Sequence, residues 1–547
     1  MASSFNQIFR GAAGTSGDTT TVEDVFSTYL YEGNGATPTI TNGIDLAGEG
    51  GLVWIKNRDA TDNNVLTDTV RGATKISYSN GTHAEGTDAD TITSFTSTGF
   101  VLGDDIKVNT SAESYAAWTF RKAPKFFDVV TYAGTGSART VAHSLGGTVG
   151  MILIKNRDAS DNWAVYHRAN TAAPQTDYLI LNTTAATADD AAWWNDTAPT
   201  SSVFTVGTDH AVNADGENYV AYLFAHDTES DGLIQCGSYA YDGGGSVTLG
   251  WEPQFVLIKS SSATSNWIIH DSMRGMLASA RGAALYTDGN NVEASTSGFV
   301  YLNSTGFTVP ADMFDPCTQI YMAIRNPMMA TITDATKVFA VDIRTSSEGE
   351  GKYVSGFPVD FSLANNYDAS GNTFAGTRLT NAHLQTNGDT TESTSASDYA
   401  WDYSDGVGIG EGGAFFGGST NNINWMWKRA RSYFDCVAYT GTGSAKTEAH
   451  NLGVVPEMIW IKHRSGTDNW IVGHKAFNWL GPIYLNEAYQ YVGDNIAWWN
   501  NTAPTSTEFT IGTGAASNTN TGTHIAFLFA TLAGVSKVGS VTHSGTS

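Results

Sequence analysis

The chain has 547 residues, too many for one domain at about 100–200 residues each. Lys+Arg 29 against Asp+Glu 54 leaves a formal net charge of −25, which repels phosphate backbones and anionic headgroups and argues against nucleic-acid or membrane-surface partners. Hydrophobic residues at 41% and aromatics at 12% supply material for packed cores, which excludes wholesale disorder.

In chain order, the first 19 residues match no later segment and are expected to form a short N-terminal anchor. The start MASSFNQIFRGAAG lacks the apolar segment of a secretion signal. From residue 20 the sequence repeats. FDVVTYAGTGSARTVAHSLG from Phe127 returns as FDCVAYTGTGSAKTEAHNLG from Phe434, and the same offset relates His143 to His450, Trp163 to Trp470 and His167 to His474. A segment ending in Ile-Lys recurs at Lys56, Lys155, Lys259 and Lys462. Gly356–Asn366 reads as a degenerate copy, with Ala364-Asn365 in place of Ile-Lys. These recurrences divide the chain into modules at 20–125, 126–229, 230–330, 331–432 (divergent) and 433–533, with a 534–547 tail that resembles the opening of the third module.

Within a module, short β-branched and aromatic segments such as GMILIKNR, NWAVYHRA and NYVAYLFAH alternate with Gly, Asn, Asp, Ser and Thr. Val165 and His167 against Tyr166 and Arg168 suggest one buried and one solvated face. A helical turn is expected only in Met273–Leu285. The fold class is therefore all-β, a tandem array of about five modules, each a jelly-roll or immunoglobulin-like antiparallel β-sandwich. No apolar run approaches the ~18 residues of a spanning helix, so membrane insertion is not expected. Three cysteines (Cys236, Cys317, Cys436) are too few for a disulfide scaffold and suit a reducing compartment of synthesis.

Few motifs bear chemistry. GTGSA at Gly134 and Gly441 lacks the lysine and helix of a phosphate loop and reads as a hairpin turn. His143 and His450 read as turn residues bonded to backbone. Asp59 with Asp62, and Asp158 with Asp161, put two carboxylates three apart among side-chain amides, a density that suits either calcium or a solvated turn. The pairs Trp193-Trp194 and Trp498-Trp499, followed by Asn195 and Asn500, are the most distinctive motif. On a strand the two rings point to opposite faces, leaving one free as an apolar platform for a sugar or for a neighbouring module. Trp163 with His167 and Trp470 with His474 read as core scaffold. No catalytic motif recurs, so no enzymatic activity and no cofactor is expected, calcium at those loops being the one alternative.

The segments FDVVTYAGTGSARTVAHSLG, MILIKNRDASDNWAVYH, AWWNDTAPT and SGFPVDFSLANN, with the GVSKVGS ending, resemble repeat modules in virion proteins of marine tailed bacteriophages of cyanobacterial and pelagic hosts. The resemblance implies a structural protein, most simply a tail fibre or adhesin contacting host-surface glycans. A head or neck decoration protein without a receptor, and last a glycan-degrading tailspike, are the alternatives. It also implies a place in the virion after assembly in the host cytoplasm, attachment to other virion proteins through the N-terminal segment, and homo-oligomerisation.

Overall fold

The computed structural model describes residues 20–311, 313–344, 351–368, 371–394, 399–408, 421–491 and 493–542. The expected anchor, 1–19, and the last five residues of the tail lie outside them. The fold is all-β, built from antiparallel sheets.

Five large sheets share one strand order. In the second module it runs Phe127–Ala133, Asn218–His226, Thr148–Asn156, Ala164–His167, Asp177–Ile180 and Ala188–Asp189. We name these by role: the opening strand, the closing strand beside it, the lysine strand, the wedge strand, the rim strand and a short edge. A smaller sheet of two or three strands, here Arg139–Ala142 with Val203–Val206, covers one face of the large one. The degenerate segment of module four takes the lysine-strand place. Ala364 stands opposite Phe374 as Ile461 stands opposite Ile471.

Both faces of the large sheets of modules one to three are covered, which corrects the expectation of a solvated face. Ala164–His167 is buried at all four positions. Alternate residues of each strand serve different cores. Val53, Ile152 and Val256 point into their own sandwich, whereas Trp54, Leu153 and Leu257 point outward and are equally buried, at 0–1% exposure. The outward faces meet along a common seam, where the Phe120 ring lies 5.4 Å from Phe224 and 6.2 Å from Phe255. Strands buried on both faces carry near-continuous apolar runs, which accounts for segments such as MILIK.

Helices are more numerous than expected but very short. Ile106–Asn109, His210–Asn213 and Ala515–Asn518 are single turns before the closing strand. Asn109, Asn213 and Asn518 hold them by donating to the carbonyls of Gly103, Gly207 and Gly512. Four residues show no 3.6-residue periodicity. Within Met273–Leu285 only the end of a 3-10 turn, Ser272–Arg274, forms. GTGSA does not close a hairpin, because the strands before and after it belong to different sheets. Its first glycine is required by space: a Cβ on Gly134 would lie 2.0 Å from the Ala214 carbonyl oxygen.

Candidate functional site

The junctions among modules one to three, and that of five with four, are built from the loop after the lysine strand, and that loop is organised by the lysine itself. Lys56, Lys155, Lys259 and Lys462 are buried. Lys155 Nζ donates to the carbonyls of Asn156 (2.8 Å) and Ala159 (3.3 Å). Lys56 Nζ donates to those of Asn57, Ala60 and Asp62, and also to Asn290 in the third module. Burial pushes these amines down to about 8.

The same geometry fits the turn held by its own Asp and Asn side chains better than it fits calcium. The carbonyl oxygens of the loop face an ammonium, not a vacant cation site. The carboxylates turn to different partners: Asp161 accepts from Asn156 Nδ2 at 2.7 Å and Asp158 from the Asn218 amide at 2.7 Å. Asp62 and Asp59 do the same with Asn57 Nδ2 and the Ser114 amide. Among the described residues no group of three or more His, Cys, Asp or Glu is placed to hold a metal.

At the head of the wedge strand one residue crosses to the neighbouring module. Trp163 Nε1 donates to the Tyr78 carbonyl at 2.8 Å, Trp267 to Ile180 at 3.0 Å and Trp470 to Gln385 at 2.7 Å. In module one the wedge is Asn64, whose Nδ2 donates to the carbonyls of Tyr286, Thr287 and Gly289. Module two therefore leans on one, three on two, and one on three. Modules one to three close a ring within a single chain. Beside each wedge the Arg157 carbonyl accepts from the Glu85 amide, Ser261 from Thr187, Arg58 from Glu293 and Arg464 from Glu392, at 2.7–2.9 Å. Where the residue is arginine, its guanidinium also pairs with that glutamate. The Trp163 and Trp470 rings are thus seam residues, which corrects their assignment to a module's own core. His167 also works across the seam, with Nε2 3.1 Å from the Tyr321 carbonyl of module three.

The double-tryptophan motif is not a strand. Ala191–Trp194 and Ile496–Trp499 are single helical turns, capped by Asp190 and Asn495 and ended by Asn195 and Asn500 in the left-handed region, φ 50° and 49°. Trp193 stacks on Tyr178 of its own rim strand at 3.8 Å, and Trp194 Nε1 donates to the Asp177 carbonyl. Both are buried, so the expected free ring does not exist in module two. In module five Trp499 is buried against Trp479 and Trp498 is half-buried. Helical geometry turns both indoles toward the sheet, and the exposed Asn195 and Asn500 serve as helix ends. His143 and His450 are turn residues whose Nδ1 accepts from the Leu145 and Leu452 amides.

A cavity of about 340 Å³ lies where modules one, three, four and five meet, bordered by Glu23, Glu252, Arg378 and Arg429. One charge cluster on its wall is satisfied internally: Arg429 holds both oxygens of Glu252 (2.5 and 2.9 Å) and also Asp435. The cavity wall is a polar pin joining modules three, four and five. The Arg–Glu and Arg429 contacts were missed in the sequence, although arginine two places after the buried lysine in three modules was a usable signal.

The family described as "Domain of unknown function (DUF7483)" matches residues 21–324 and 364–547. The chain belongs to this family. The gap between the two DUF7483 segments covers the link into module four and that module's opening strand, Phe339–Arg344. No curated protein matches the chain. Among solved structures, the nematode sperm cell motility protein MFP2B is similar at 9% identity over 74% of this chain and 98% of that one, with a TM-score of 0.12.

Proposed function

We propose that this chain is a structural component of a tailed-phage particle, of the tail-fibre or adhesin kind. The observation that carries the reading is the welding of five like modules into one body through apolar seams and side chain-to-backbone wedges. Such a body is suited to holding a surface in a fixed position, a structural rather than catalytic role. The resemblance of its repeats to phage virion modules supplies the setting. A net charge of −25 keeps many copies from nonspecific association.

The burial of Trp193, Trp194 and Trp499 favours a second reading, a head or neck decoration protein without a receptor. It removes three of the four aromatic platforms that pointed to glycan, leaving only the half-buried Trp498. Immunogold labelling of intact particles tests the first reading: label along the tail supports it, and label confined to the head lattice overturns it. Adsorption of the purified chain to host cells separates the two, since a decoration protein does not adsorb.

A further inference from the structure

Modules four and five repeat two thirds of the arrangement that modules one to three complete. Trp470 of module five leans on the rim of module four as Trp163 leans on module one. The outward rings meet in the same way, with Phe361 at 4.6 Å from Phe527 and 5.6 Å from Phe434. Among the described residues, neither outer end of this pair takes part in a wedge between modules.

The wedge position of module four is Thr373. Its amide donates to Asn387 Oδ1 as the amides of Trp163 and Trp470 donate to Asn182 and Asn486. Beside it Tyr367 occupies the place of Arg58, Arg157 and Arg464 and is 52% exposed. On the other side, the rim of module five, Ile483–Tyr484, receives no wedge among the described residues, and Leu485 and Tyr489 beyond it are exposed.

Between these ends the outward sheet faces are apolar and less completely covered than in modules one to three. Outward positions of modules one to three are buried: Trp118, Phe120, Tyr222 and Phe224 are at 0–1%. Of their counterparts, Phe527 is buried like Tyr222, whereas Trp425, Trp427 and Phe529 are half-buried, as is Trp460, the counterpart of Trp54. Val341 and Ile343 on the adjoining opening strand are 47% and 50% exposed. A contiguous apolar face of this kind marks an interaction surface.

We propose that this open seam is where two copies of the chain join. In modules one to three such a face is covered by the apolar face of a like module. The first three modules of any copy have theirs closed within their own ring. The like faces left free are those of modules four and five in a second copy. The outward positions named here are uncharged, so they add no repulsion of their own between two chains of net charge −25. A two-fold contact would set the Tyr367 end of each copy against the Tyr489 end of the other.

Sedimentation velocity on the full chain over a wide concentration series tests this. The expected result is a monomer–dimer equilibrium that Ile343→Asp weakens by at least about tenfold. Tyr367→Asp, on an exposed loop, provides a second variant if the first fails to fold. Val354→Asp, equally exposed but in the small sheet of module four, should leave the equilibrium unchanged. A chain that stays monomeric throughout, or a dimer indifferent to both face variants, overturns the proposal. Neither result bears on whether the chain sits on a phage tail.

Discussion

Trp163 and Tyr78 belong to different modules, yet the indole Nε1 of one donates to the backbone carbonyl of the other at 2.8 Å. The ring is fully buried and stacks on Tyr222 of its own closing strand. One side chain therefore completes both a sheet face and a junction. Trp163→Ala should cost about 3–5 kcal/mol, the range for deleting a buried aromatic. Because the loss falls on the seam, modules one and two should also unfold less cooperatively, visible as a broadened or split calorimetric transition. Trp163→Phe keeps most of the ring and loses one hydrogen bond, so it should cost less than the alanine variant. Unchanged stability in Trp163→Ala would remove the seam from the account of the fold.

The buried lysines make a prediction opposite to that of a calcium site. Lys155→Met deletes an ammonium that satisfies the Asn156 and Ala159 carbonyls. Leaving buried acceptors unpaired costs about 1–3 kcal/mol, so the melting temperature should fall. Calcium or a chelator should shift the melting temperature of neither the parent chain nor the variant. Stabilisation of the parent by calcium in differential scanning fluorimetry would restore the metal reading.

The double-tryptophan turn can be tested as a helix end. Asn195 sits at φ 50°, a conformation that costs an ordinary residue about 1–2 kcal/mol and glycine little. Asn195→Gly should therefore leave stability nearly unchanged, whereas Asn195→Ala should lower it. If the purified chain adsorbs to cells, Asn195→Gly should adsorb equally well. Loss of adsorption without loss of stability would return Asn195 to the ligand-binding role.

Repetition made the lysine strand legible even in module four, because Phe361–Asn366 keeps the apolar alternation after losing the lysine. It also singled out the Asn-Trp step as scaffold. The partner of that tryptophan was not legible, since it is a backbone carbonyl in another module and carries no side-chain signature. The double-tryptophan segment was misread as a strand because one helical turn is too short to show a period. Its ends held the better signal: Asp190 or Asn495 before the turn, and Asn195 or Asn500 after it, are the residue types that start and stop helices. The solvated face expected from Val165/His167 against Tyr166/Arg168 failed for a related reason. Alternation within one module does not reveal the neighbour that covers its second face.

Acid should destabilise the ring through its buried histidines. Burial pushes His167 down to about 4, against the opposing hydrogen bond to Tyr321 and with Arg168 and His226 nearby. It pushes His270, close to Arg274, down to about 3. The neutral form of His167 fits its surroundings: Nε2–H donates to the Tyr321 carbonyl and Nδ1 accepts from the Ala169 amide at 3.2 Å. A proton on Nδ1 would face that amide N–H and lose the bond. In the unfolded chain both histidines titrate near 6.5, so between about pH 4 and 6.5 the unfolded state binds more protons and stability rises with pH. The stabilisation is fully present above 6.5 and is lost on acidification toward 4. At pH 5 each histidine should subtract on the order of 2 kcal/mol by linkage. His167→Gln binds no proton in either state, so its loss of stability between pH 7 and pH 5, read from urea midpoints, should be smaller than that of the parent. An equal loss in both would mean that His167 takes up its proton in the folded seam as readily as in the unfolded chain.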